Sequence, residues 1–175
     1  LFRVLPASPE RPEDVPKTLI YVRTRAAAYE AATLLQARYD LLGPSFGGLV
    51  RPFTALSSDT FKTDTLQKDF RPGGRVRILV ATEAGGLGID IPDIKQVIQY
   101  ELPSSLLDLA QHFGRTMRSK EESGLAILFA QRWSVIGTSE AQTGARQSVE
   151  QRQRLETGLK HITNTGLCMR TTLED

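Results

Sequence analysis

The chain has 175 residues, a hydrophobic fraction of 40% and a formal net charge of +2. Its length and apolar content suit one domain with a real core and room for an appendage, and the near-neutral charge permits nucleic-acid binding without arguing for it. A single cysteine excludes an internal disulfide framework and fits a reducing compartment, and no apolar stretch reaches transmembrane length, so no membrane partner is expected.

The chain opens on Leu1, not methionine, shows no signal-peptide pattern, and closes on Leu173-Glu174-Asp175, which suggests a piece of a longer protein. Pro6, Pro9, Pro12 and Pro16 with mixed charge predict an extended linker over residues 1–16. Next comes the short apolar run TLIYV at 18–22, of the kind that forms a parallel strand buried on both faces. The alanine- and leucine-rich stretch 26–37 predicts a helix. Glycines and proline at 43–48 mark a loop, and 49–56 reads as a second strand. A short helix follows, with Leu66 and Phe70 four apart on one face. Pro72-Gly73-Gly74 is a turn before a strand at 76–82. Further strands are predicted at 96–100 and 125–130. This alternation predicts an α/β three-layer sandwich, a mostly parallel sheet with helices on both faces, over residues 17–135. From 136 to 175 the chain turns polar and rich in Gln, Arg and Glu, and a helical extension is expected there.

Two segments carry candidate chemistry. In SSLLDLAQHFGRTMR (104–118), Ser105 and Asp108 are placed to cap a helix. At 100° per residue Leu106, Leu109, Ala110, Phe113 and Met117 share one stripe, and Gln111, Arg115 and Arg118 share the opposite one. Guanidinium forks match phosphate oxygens, although such stripes are commonly just solvated faces. Gly114 inside this helix costs about 1 kcal/mol relative to alanine and suggests a close approach. His112 reads as a surface or interface residue. In the second segment Thr82 ends a strand and precedes EAGGLGID (83–90), where three glycines in four positions permit tight turns and close ligand approach. Ligands of open parallel sheets bind beyond the carboxyl ends of the strands, which places Thr82 to meet a phosphate and Asp90 to meet a ribose. A glycine-rich connection with a helix cap explains the same residues without a ligand. The phosphate-cradling pattern G-x-x-x-x-G-K-[ST] occurs nowhere in the chain, so the primary nucleotide site must lie elsewhere.

ATEAGGLGIDIPD (81–93), VIQYELP (97–103), QHFGRTMR (111–118) and GLAILF (124–129), in that order and preceded by TLIYVRTR (18–25) and QKDFRPGGRVRILVAT (67–82), resemble the second motor domain of superfamily 2 helicases. They look most like the RecQ family, whose last motif runs Q-x-x-G-R-x-x-R, and less like the DEAD-box pattern, which begins His-Arg. The resemblance implies a RecA-like fold and half of an ATP-driven 3′-to-5′ DNA helicase. It also implies an intracellular protein (nuclear in a eukaryote) that acts in DNA repair or recombination.

By the same resemblance ATP with Mg²⁺ would be shared with a missing N-terminal RecA-like domain. Arg115 and Arg118 would reach its γ-phosphate, with Arg118 as arginine finger. Gln111 would couple nucleotide to domain closure, and Gly88 and Asp90 would face the ribose. Thr82, Arg25, Thr24 and Thr54 would contact single-stranded or duplex DNA, with RNA as the alternative substrate. A non-enzymatic module that binds nucleic acid or a partner is the other alternative. Family members usually carry glycine at Met117, an acidic residue near Ser119 and histidine at Thr54. Cys168, in a context similar to the start of the RecQ zinc-binding subdomain, is a candidate zinc ligand whose partners would lie beyond Asp175, or simply an isolated small hydrophobe.

Overall fold

The computed structural model describes residues 4–86, 89–116, 124–129 and 157–158. Five strands, β1 (Thr18–Val22), β2 (Val50–Phe53), β3 (Ile78–Thr82), β4 (Gln96–Tyr100) and β5 (Leu125–Phe129), form one sheet in the order β2-β3-β1-β4-β5. Every neighbouring pair is parallel. Central β1 and β3 are buried at all five positions, which is why they appear in the sequence as unbroken apolar runs. Pro52 lies in β2, an edge strand, where a missing N–H is tolerated.

Successive strand residues serve opposite layers. Ile20, Val22, Val50, Ile78 and Val80 pack with Ala28, Ala32 and Leu35 of helix α1 (Arg25–Asp40). Leu19, Tyr21, Phe53, Leu79, Ala81 and Val97 pack with Leu109 and Phe113 of helix α4 (Leu106–Phe113) on the other face. Phe70, beyond helix α2 (Asp59–Asp64) and its π-type continuation Thr65–Asp69, joins the α4 layer with Leu66 packed alongside. The result is the three-layer sandwich expected from the alternation of strand and helix patterns, and it agrees with the RecA-like fold that the resemblance implies. No helix among the described residues is long and apolar enough to cross a membrane.

Two expectations change. Residues 4–16 are docked on the domain: Leu5 and Val15 are core residues, Tyr39 and Arg38 donate to the Pro6 carbonyl, and Arg77 donates to the Val15 carbonyl. Apolar anchors between the prolines outweigh the linker-like composition. The helix expected over 104–118 ends at Phe113, and Gly114 is its C-cap, not an interior residue. Among the described residues a Cβ on Gly114 would meet only the Ala110 and Gln111 carbonyls of the helix's own last turn. Of the polar extension, 157–158 are helical; Cys168 and the rest lie outside the described residues.

Candidate functional site

β1 connects toward β2 on one side, while β4 connects toward β5 on the other. The crevice between the carboxyl ends of β1 and β4 is therefore the switch point where open α/β sheets bind ligands. Four connections begin at this edge, and most of the candidate residues sit on them.

Val22 and Thr82 are register partners, so the ends of β1 and β3 are level. Just beyond Val22, Arg23, Thr24 and Arg25 are all exposed. Thr24 is the N-cap of α1, and its hydroxyl accepts the Ala27 N–H at 3.1 Å. That hydroxyl is thus committed to the helix, while Arg25 extends from the first turn into solvent. Thr82 is mostly buried and accepts the Gly85 N–H at 3.2 Å, closing the one-turn helix α3 (Glu83–Gly86). Thr54, expected to touch nucleic acid, is 1% exposed beside that turn and has no surface to offer. It is covered because a Cβ on Gly85 would stand 2.8 Å from both the Phe53 carbonyl oxygen and the Thr54 Cα. The described glycines of this turn make room for the protein itself: Gly85 lies against the end of β2, and Gly86 lies against the Tyr21 ring. Gly88 lies outside the described residues.

From α3 the chain descends the α4 face. Ile89, Ile91 and Ile94 enter the core, Asp90 is exposed between them, and Asp93 pairs with buried Lys17 at 2.7 Å at the opposite edge. Burial pushes the Lys17 ammonium down from its usual value, and Asp93 opposes that shift.

Helix α4 begins as its sequence predicts. Ser105 accepts the Asp108 N–H at 3.1 Å and donates to the Asp108 carboxylate at 2.8 Å. One residue earlier, Ser104 donates to the Glu83 carboxylate at 3.1 Å, tying the start of α3 to the start of α4. Burial raises the Glu83 carboxyl above its usual range, the Ser104 hydrogen bond opposes this, and Asp108 adds to it. Gln111 is exposed, as expected. Arg115 departs from expectation. Because the helix ends two residues earlier, Arg115 sits in the following turn and folds back, donating from Nη1 to the Ile89 carbonyl at 2.7 Å. It stands next to the loop that holds Asp90. Arg118 lies outside the described residues.

His112, expected at the surface or an interface, is instead buried within the domain, its ring stacked on Tyr21 at 3.7 Å between centroids and 12° between planes. Its Nδ1 is 2.8 Å from the Gln99 side-chain oxygen. Burial, reinforced by Arg115 and opposed by Asp108, pushes the imidazole down to about 4. The spacing of 109, 112 and 113 is that of one helical face, a signal available in the sequence but overridden by residue type. Among the described residues no cluster of three or more His, Cys, Asp or Glu is arranged to hold a metal ion.

The site therefore has two parts. Thr24, Arg25 and Thr82 mark the strand ends, and Gln111, Arg115 and Asp90 gather around the end of α4. The described carboxyl edge of this parallel sheet thus carries hydroxyl and guanidinium groups, and the G-x-x-x-x-G-K-[ST] pattern is absent from the sequence. The model of the helicase conserved C-terminal domain matches residues 3–120, and the chain belongs to that family. Over 119 residues it is 31% identical to the ATP-dependent RNA helicase DeaD of Buchnera aphidicola, a match covering 68% of this chain and 18% of that protein. It is 41% identical over 66 residues to the ATP-dependent RNA helicase DBP2 of Encephalitozoon cuniculi, covering 38% of this chain and 13% of that protein. The chain thus spans only a small part of the curated relatives it matches.

Among solved structures, the second domain of the DEAD-box helicase Mss116p bound to an RNA duplex superposes with a TM-score of 0.57 at 18% identity, covering 90% of this chain and 67% of that one. The Mycobacterium smegmatis helicase Lhr, bound to single-stranded DNA and AMP-PNP, gives 0.55 at 26% identity, covering 68% of this chain and 15% of that one. These relatives give the expected RecQ-like affiliation no support; the curated ones named here are RNA helicases.

Proposed function

We propose that this chain is the second motor domain of an ATP-dependent RNA helicase of the DEAD-box kind, working with an N-terminal RecA-like domain of the same protein. The carrying observation is that Arg115, at the end of α4 beside the Asp90 loop, lies in a domain whose curated relatives are named ATP-dependent RNA helicases. ATP with Mg²⁺, bound mainly by the other domain, would supply the hydrolysable phosphoanhydride. The residues here suit a completing role. Arg115 and Arg118 would offer guanidinium forks to phosphate oxygens, Gln111 is exposed in the last turn of α4, and Asp90 is exposed and would meet a ribose hydroxyl. Arg25 would face the sugar–phosphate backbone, and the Thr24 and Thr82 hydroxyls, whose oxygens accept backbone N–H groups, would still have their own protons to donate to it. Backbone contacts position a strand without reading its sequence, as a translocating motor requires.

Arg118→Ala in the full-length protein is expected to lower RNA-stimulated ATP hydrolysis by about 10³-fold or more. Near wild-type turnover would remove the arginine-finger assignment. A second reading, a DNA-directed motor, is favoured by the likeness to Lhr bound to single-stranded DNA. The two separate on one measurement: RNA is expected to stimulate hydrolysis more strongly than single-stranded DNA of equal length, and the reverse order selects the DNA reading.

A further inference from the structure

Between the two halves of the site lies a buried polar chain that the proposed function does not use. It begins at Glu101, the only non-glycine residue with positive φ (71°) among the described residues. Gln99 donates from Nε2 to the Glu101 carbonyl at 3.1 Å. That bond fixes the amide, because a flipped Gln99 would set two carbonyl oxygens against each other. The Gln99 oxygen therefore faces His112, and Nδ1 of His112 must carry the proton that bridges them at 2.8 Å. The imidazole is thus a neutral Nδ1–H tautomer, in keeping with burial holding it down to about 4. Its face lies on Tyr21, and the Tyr21 ring fills the space where a Cβ on Gly86 would stand.

Helix α4 consequently grips the glycine turn at two points. One runs from His112 through Tyr21 to Gly86, and the other from Arg115 to the Ile89 carbonyl. The first of these points, Gly86, is the last residue of the turn that Thr82 caps. We propose that His112 and Tyr21 are a positioning pair that couples helix α4, which carries Gln111 and leads into the turn holding Arg115, to the strand-end turn capped by Thr82, so that occupancy of one half of the site sets the geometry of the other. This rests on the two-part reading of the site given above. Neither ring touches a ligand; the pair acts through the residues it holds.

The test uses the full-length protein. His112→Leu removes the ring and the Nδ1–H, whereas His112→Phe keeps a stacking ring. His112→Leu is expected to lower the RNA-stimulated kcat about tenfold while the RNA-free rate and the KM for ATP stay within about twofold. His112→Phe is expected to recover the stimulated kcat to within about threefold of wild type. A His112→Leu protein with unchanged stimulation, or a His112→Phe protein as impaired as His112→Leu, overturns the proposal. An independent readout needs no variant. Imidazole ¹⁵N shifts of His112 in the wild-type protein should report a protonated Nδ1 and a bare Nε2, and they should move when RNA and a non-hydrolysable ATP analogue are added together. An Nε2–H tautomer, or shifts indifferent to those additions, also overturns it. A wild-type protein whose hydrolysis RNA does not stimulate removes the proposed function instead, and the tautomer measurement still judges the pair.

Discussion

At the residue scale, the buried imidazole and the glycine beneath it make measurable demands. His112 titrates near 6.5 when unfolded and near 4 when folded. Between those values the unfolded chain binds the extra proton, so stability rises with pH through this window and is level above about 6.5. The full effect of a shift this size is roughly 3 kcal/mol. Urea unfolding from pH 4 to 7 should show that slope in the wild type and lose most of it in His112→Phe. A wild type with no acid loss in this range would place the ring in water. Gly86 makes the opposite kind of demand, for absence of a side chain. Its φ is not in the left-handed region, so the objection to alanine is spatial: the new methyl would intrude on the Tyr21 ring. Gly86→Ala should destabilise by about 1–3 kcal/mol, read as a lower denaturation midpoint. A neutral outcome would mean that Tyr21 has room to swing aside.

At the element scale, helix α4 is short, and its start is defined by one hydroxyl. Ser105→Ala removes the group that satisfies the Asp108 N–H and should cost about 1 kcal/mol in chemical denaturation. No loss would mean that water caps the helix equally well. The far end of α4 has more consequence for the site. A helix continuing to 118 would hold Gln111 and Arg115 in one outward row, as the periodicity predicts. Ending at Phe113 lets Arg115 turn back to the Ile89 carbonyl and join the helix to the glycine-rich loop. The stripe of alternating burial is local and follows from the 3.6-residue period. Where a helix stops depends on what its last turn meets, and that comes from another part of the chain.

At the scale of the whole molecule, the proposed function has this sheet complete a nucleotide site founded by another domain, since the sequence carries no G-x-x-x-x-G-K-[ST] pattern. Residues 1–175 by themselves should therefore hydrolyse no ATP, with or without RNA, in a phosphate-release assay. Turnover by this chain alone would contradict its reading as half of a motor. The nucleic acid was the weakest inference from sequence. Gln111 heading the last motif pointed toward the RecQ pattern, yet the similar curated proteins are RNA helicases. One side chain exposed on a helix is a poor guide to substrate, because backbone-binding motors of both kinds need the same phosphate-directed chemistry.

The sequence alone determined the strands and their layering. A strand buried on both faces is mostly apolar, so TLIYV stands out without any partner in view; QVIQY has only Val97 and Ile98 as an aliphatic centre between buried Gln96 and Gln99, and both segments occupy the predicted residues. It also determined the Ser105 cap and the core positions Leu109 and Phe113, which depend only on near neighbours. Tertiary structure decided the rest: that Thr54 is sealed beneath Gly85, that residues 4–16 dock, and that Arg115 faces inward. It alone decided that His112 lies in the core against Tyr21. Each of these depends on groups distant in the chain filling the same space, and a buried polar side chain is tolerated only where such a partner satisfies it. The helical spacing that puts His112 on the face of Leu109 and Phe113 is the one local hint, and it does not name the partner.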